Sequence, residues 1–137
     1  HPFSNLRYTH QILKDNGWLI IAIPNVEGWE ARVFGKYWMG WELPRHLYIF
    51  PRKQLRTILE NIGFRWIDQR CISTSYSVFG HTLDFWSQPW GQQHPTLRHS
   101  LLSLYRSWFG RVLMIPPLWI LDRLNQSTII TIFAQKT

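Results

Sequence analysis

Apolar and polar positions follow two rhythms along this chain. Trp18-Leu19-Ile20-Ile21-Ala22-Ile23 is an unbroken apolar run between Gly17 and Pro24. A short run of this kind, rich in β-branched residues, predicts a strand buried on both faces, as in parallel sheets covered by helices. Arg52 to Ile62 has the other rhythm. Leu55, Ile58, Leu59 and Ile62 fall at i, i+3, i+4 and i+7, which predicts a helix, and Gly63 stands where a C-terminal cap belongs. Phe64 to Ser77 predicts a strand with Trp66, Ile67 and Ile72 inside. Ser127 to Lys136, built around Thr-Ile-Ile-Thr-Ile-Phe-Ala, predicts a terminal strand.

Weaker patterns fill the gaps. Ser4 to Lys14 is compatible with a helix that Asp15-Asn16-Gly17 ends. Residues 25 to 50 lack a period and hold Gly28, Gly35, Gly40 and Pro44, so they predict a long, aromatic-rich loop. Phe79 to Thr96, rich in Gly, Pro, Gln and Trp, predicts another loop. Leu97 to Arg111 predicts a helix with Leu101, Leu104, Tyr105, Trp108, Phe109 and Val112 on one side. Pro116-Pro117 is expected to break that pattern. The order of elements is that of an α/β protein.

Composition adds constraints. The 137 residues suffice for one domain. Nine tryptophans assign much of the burial to large rings. The formal charge of +7 favours acidic partners. Cys71 is the only cysteine, which excludes an intrachain disulfide and suits a reducing cytoplasm. The first residues carry no leader pattern and begin at His1, so the chain is expected to start inside a longer reading frame. The longest uncharged stretch of the 97–121 segment, Val112 to Leu121, is short of the roughly 20 apolar residues that a membrane span needs. An interfacial helix remains, with Arg98, Arg106 and Arg111 toward anionic headgroups and Trp108 at the boundary. The basic residues form no run longer than Arg52-Lys53, and nucleic acid is not expected as a partner.

Some stretches match a known family. Ile12 to Asn25 resembles the "L-K-P-G-G-x-L-x-I-x-x-P-N" segment of class I S-adenosylmethionine-dependent methyltransferases. Arg32-Val33-Phe34-Gly35-Lys36-Tyr37-Trp38 and Leu43-Pro44-Arg45-His46-Leu47-Tyr48-Ile49-Phe50 are similar to the "R-x-F-G-x-x-W … P-R-H-L-Y-x-F" signature of a bacterial subgroup. That subgroup is associated with modification of cell-surface sugars, lipids or quinones. Leu55 to Phe64 is similar to its "L-x-x-x-L-x-x-x-G-F" helix and turn. There are departures: Asp15-Asn16 replaces Pro-Gly, Pro51 replaces a capping Ser or Thr, and His1-Pro2 stands where the family shows Asp-Pro.

The resemblance implies a partial Rossmann-like fold: a three-layer sandwich with an antiparallel last strand and a helical insertion before it. Residues 2–76 would be core helices and strands, 77–126 loop and helical insertion, and 127–137 the final strand. Together they would form the C-terminal half of a methyltransferase domain. The chain has no G-x-G motif, so the S-adenosyl-L-methionine site would lie mostly upstream, with no cofactor-binding residue here. The acceptor would be a small molecule, lipid, quinone or cell-surface sugar.

In open α/β sheets ligands bind beyond the carboxyl ends of strands. His46 is therefore the candidate general base toward a hydroxyl acceptor. Arg45 suits a phosphate or carboxylate, Asn25 faces the same crevice, and Trp38 and Tyr48 complete the substrate-binding set. Each also has a plainer role: loop anchoring for Arg45 and His46, a turn for Asn25, packing for Trp38. The six histidines lack metal-ligand spacing, and no metal is expected. The rival of a different class is a non-catalytic peripheral membrane module using 97–121. The expected location is cytoplasmic, with contact at the inner membrane face through that segment.

Overall fold

The computed structural model describes residues 1–42, 46–71 and 75–137, apart from the side chain of Ser75. Helix α1 spans Pro2–Ile12 and strand β1 Trp18–Pro24, with Asn16 in the left-handed region between them. Helix α2 (Trp29–Phe34) and two 3-10 turns (Gly35–Tyr37 and Met39–Trp41) occupy the segment expected to be loop. Helix α3 (Arg52–Ile62) and strand β2 (Phe64–Arg70) follow. Three helices, α4 (Ser75–Gly91), α5 (Pro95–Arg106) and α6 (Trp108–Arg123), precede strand β3 (Ile129–Lys136).

The sheet order is β1-β3-β2, with β3 antiparallel to both neighbours. β1 and β2 therefore point the same way on either side of it. Their registers place Leu19, Ile21 and Ile23 opposite Ala134, Ile132 and Ile130, and Trp66 opposite Ala134. Cross-strand partners share a face. On that face Leu55 and Leu59 of α3 close a core with Phe64, Ile132 and Ala134, and Leu6 and Leu13 add to it from the α1 side. Each fully buried large side chain there stabilises the fold by roughly 1.5–3 kcal/mol. Gly63 ends α3 at φ 108°, where its amide donates to Glu60 O at 3.1 Å. A Cβ at Gly63 would sit 2.6 Å from the His10 ring, so both conformation and space require glycine.

The opposite face corrects an expectation. Side chains alternate across a strand, and with α1 and α3 on one side only, Trp18 and Ile20 stay 52% and 61% exposed. β1 is thus covered on one face, not two, and the third layer of a sandwich is not found among the described residues. The open face is apolar toward β1 (Trp18, Ile20, Phe133) and polar toward β2 (Arg65, Asp68, Arg70). A bulge between Trp66 and Asp68 turns Ile67 outward, against the expected burial. The strand expected to reach Ser77 ends at Arg70. Ile72 lies outside the described residues.

The helices build a second core from Phe79, Tyr105 and Leu118, with Trp29, Phe34, Leu83 and Met114 against it. The loop expected at 79–96 is mostly α4. Tyr76, Phe79 and Leu83 have helical spacing, and Gly80 lets the Tyr105 ring approach, at 2.8 Å from where a Cβ would stand. The single helix expected at 97–111 divides at Ser107, whose extended backbone starts α6 and whose Oγ accepts from the Gly110 amide at 3.1 Å. Its expected common face does not form: Leu102 and Tyr105 are buried, whereas Leu104, Trp108, Phe109 and Val112 are exposed. Helix α6 also continues through Pro116 and Pro117. The carbonyls they leave without an intrahelical donor belong to Val112 and Leu113, which are both exposed.

Candidate functional site

The carboxyl ends of β1 and β2 and the amino end of β3 meet at one edge of the sheet. Asn25, which follows β1, holds this edge together. Its backbone amide donates to Thr128 O at 2.7 Å, and its Nδ2 donates to Ser127 O at 2.8 Å and Asn125 O at 3.2 Å. Gly28 is pressed on the same segment that leads into β3. A Cβ there would stand 2.7 Å from Gln126 O and 2.9 Å from Ser127 O, so a larger residue would push α2 off its place. The Asn125 side chain reaches the other way and accepts the Cys71 amide at 3.1 Å. Cys71 is half-buried, and burial raises its thiol pKa, which keeps it a thiol and not a nucleophile.

Glu27 repairs a defect seen in the sequence. Pro51 cannot cap α3 with a side chain, and the Glu27 carboxylate does so from 25 residues away. Its Oε2 accepts from Arg52 N at 3.1 Å and from Arg52 Nε at 2.6 Å. The Arg52 hydrogen bond is the main reason the Glu27 pKa is lowered. A carboxylate at a helix amino end also meets the favourable end of the helix dipole.

Glu30 ties the two cores to each other. It is fully buried in the first turn of α2, where it accepts from Thr82 Oγ1 of α4 at 3.1 Å. Thr82 Oγ1 in turn accepts the Met39 amide at 3.2 Å. Burial dominates the Glu30 carboxyl and raises its pKa, while the Thr128 and Thr82 hydroxyls oppose that shift. Glu30 is closed off from solvent and joins α2 to α4.

The residues singled out by sequence fall in separate places. Asn25 sits at the sheet edge but is only 2% exposed, with both amide hydrogens committed. Trp38 is 1% exposed and stands edge to face with Trp41 at 5.4 Å. The two rings form one wall of a cleft of about 370 Å³ that Tyr37 and Phe85 help to line. His46 Nδ1 lies 3.1 Å from Gly40 O. A carbonyl only accepts, so Nδ1 is the donor in this contact. Tyr48 is exposed, stacks on Phe50 at 6.3 Å and has the His1 ring at 6.4 Å. It therefore stands at the amino end of α1, away from Asn25's partners. Arg45 lies outside the described residues.

A second cleft is built partly on α4, in a segment whose sequence predicts a loop. Its volume is about 590 Å³, and it lies between α4, α5 and α6, lined by Tyr76, His81, Arg106, Arg111, Trp119 and Asp122 among others. Tyr76 and Tyr105 stack at 4.5 Å and exchange hydroxyl-to-carbonyl hydrogen bonds, which fixes one wall. Arg111 sits 5.9 Å from the Tyr76 ring.

A family model described as "Methyltransferase domain" matches residues 1–69. No curated protein matches the chain.

Removing the Glu27 cap should cost about 1 kcal/mol at neutral pH, the usual worth of a helix cap; the partly exposed ion pair itself contributes little. Because the folded-state pKa is lowered, this stabilisation is full above the unfolded-state value and is lost as pH falls through the folded-state one. Urea melts of the protein and of Glu27→Ala should therefore differ at neutral pH and converge in acid. A difference that persists undiminished in acid contradicts the assignment.

Proposed function

The chain belongs to the methyltransferase domain family, and we propose that it is the C-terminal half of a class I, Rossmann-like S-adenosylmethionine-dependent enzyme. The observation that carries this reading is the sheet. An antiparallel β3 lies between β1 and β2, β1 has no other neighbour among the described strands, and the apolar part of the open face lies beside that free edge. A strand edge and an apolar face left together invite further strands and helices. An upstream half would supply both.

The residues described do not fit the cofactor. At the end of β1 the amide hydrogens of Asn25 and the carboxylate of Glu27 are held by the chain's own groups, the Asn25 Oδ1 left over is buried, and no glycine-rich turn is present in the sequence. S-adenosyl-L-methionine, as methyl donor, is therefore assigned to the upstream half. The contribution of this half is to position the acceptor and, for an oxygen acceptor, to remove its proton. His46 suits that role because Gly40 O, 3.1 Å from Nδ1, orients its ring. Tyr48, Arg45 and the Trp38–Trp41 wall are the acceptor contacts in this reading. The acceptor is a small molecule, lipid, quinone or cell-surface sugar, and the enzyme works in the cytoplasm.

Calorimetric titration tests the division of labour. The longer protein should bind S-adenosyl-L-methionine, and residues 1–137 alone should show no measurable heat. Micromolar binding by the 137-residue chain would overturn it.

His46 is tested in the longer protein. His46→Ala should lower kcat by about 10²-fold or more, the scale of general acid–base help, with cofactor affinity unchanged. If His46 only holds the loop on Gly40, turnover per folded molecule stays near normal and stability falls instead by roughly 1–3 kcal/mol. Normal turnover refutes the base.

A further inference from the structure

Helix α6 is apolar on two sides. Its inner side, with Gly110, Met114, Leu118 and Leu121, packs toward the helical core. Its outer side carries Trp108, Phe109, Val112, Leu113, Trp119 and Ile120, all exposed, with Trp108 at 75% and Leu113 at 62%. At 100° per residue these span roughly 140° of the helix. A helix that is apolar nearly all round is normally covered on all sides. Among the described residues no helix is long and apolar enough to cross a membrane.

The charges around this face indicate what covers it. Arg106 and Arg111 line the cleft along its margin together with Ile115 and Trp119, and Arg123 lies 4.6 Å over the Trp119 ring at the other end. None of the three arginines has a carboxylate within ion-pair distance among the described residues. Asp122 is the acidic residue of that cleft, and it accepts the Ser127 hydroxyl. A second copy carries the same net charge of +7 and the same basic margin, which disfavours its approach. An anionic surface with an apolar interior satisfies both features. Indole rings lie at the boundary of such a surface and guanidinium groups among its headgroups.

We propose that the outer face of α6 docks the protein on an anionic lipid surface, with the helix in the plane of the interface. The site is the exposed side of α6 with Arg106, Arg111 and Arg123; compared with the 97–121 segment expected from the sequence, it leaves out Arg98, which pairs with Asp84, and extends to Arg123. It does not depend on the methyl-transfer reading, and its test has no activity readout.

The 137-residue protein is pelleted with phosphatidylcholine vesicles, pure or doped with phosphatidylglycerol. Binding to the doped vesicles and its weakening by salt are expected. Replacing Trp108 and Leu113 together by serine should lower partition at least about tenfold. Each of Arg106→Gln, Arg111→Gln and Arg123→Gln should lower it about fivefold on doped vesicles. A thermal melt of each variant separates lost docking from lost fold, since the serine changes touch exposed side chains. Absence of binding to doped vesicles overturns the proposal. So does binding that a folded Trp108→Ser/Leu113→Ser variant retains in full. A dimer by light scattering that this variant splits would assign the face to a second copy instead.

Discussion

Asn25 is the constraint from which the rest of the arrangement follows. Three hydrogen bonds, one from its backbone and two from its side chain, fasten the end of β1 to the segment entering β3. More than a hundred residues separate the two in sequence. Closing such a loop has an entropic cost, and the three hydrogen bonds offset part of it, although the buried Asn25 Oδ1 has no partner among the described residues. With the latch closed, β3 runs antiparallel between β1 and β2, and Gly28 lies against Gln126 and Ser127. That fixes where α2 begins. Glu27 then reaches α3, and Glu30 reaches Thr82 of α4.

The helices α4 to α6 thus leave the sheet and return to it at one edge, the edge where open α/β sheets bind ligands. They have their own core, and they present a cleft and an apolar helix face to the outside. The sheet is supported on one side and open on the other. In the proposed enzyme the open side and the free edge of β1 receive the cofactor-binding half, while α6 faces a lipid surface. The two uncovered apolar regions then have different partners. Their surroundings differ accordingly: the margin of α6 is basic, and the open sheet face grades into Arg65, Asp68 and Arg70 away from β1.

What could be read from sequence was what local rhythm decides. The apolar run at 18–24, the i, i+3, i+4, i+7 spacing at 55–62 and the glycine at 63 each describe a segment whose neighbours agree with its own preference. His46 stood out in the sequence by its residue type and signature, whereas its contact with Gly40 O came only from the fold. What escaped depended on distant partners. α4 was obscured by Gly80, Pro89 and Gly91, although Gly80 serves the Tyr105 contact and Pro89 falls near the end of the helix. The α5–α6 wheel assumed an inward apolar face, and a break at Ser107 turned much of it outward. Glu27 gave no local sign of capping a helix 25 residues on.

The free edge of β1 offers the most direct measurement. Amide hydrogen exchange can be followed for residues 18–24 in the 137-residue chain and in the longer protein. In the short chain, the β1 amides that point away from β3 have no strand to bond and should exchange quickly. In the longer protein they should be protected to the level of β3, because an upstream strand pairs with them. Equal, fast exchange of those amides in both proteins would contradict an upstream half joined at this edge.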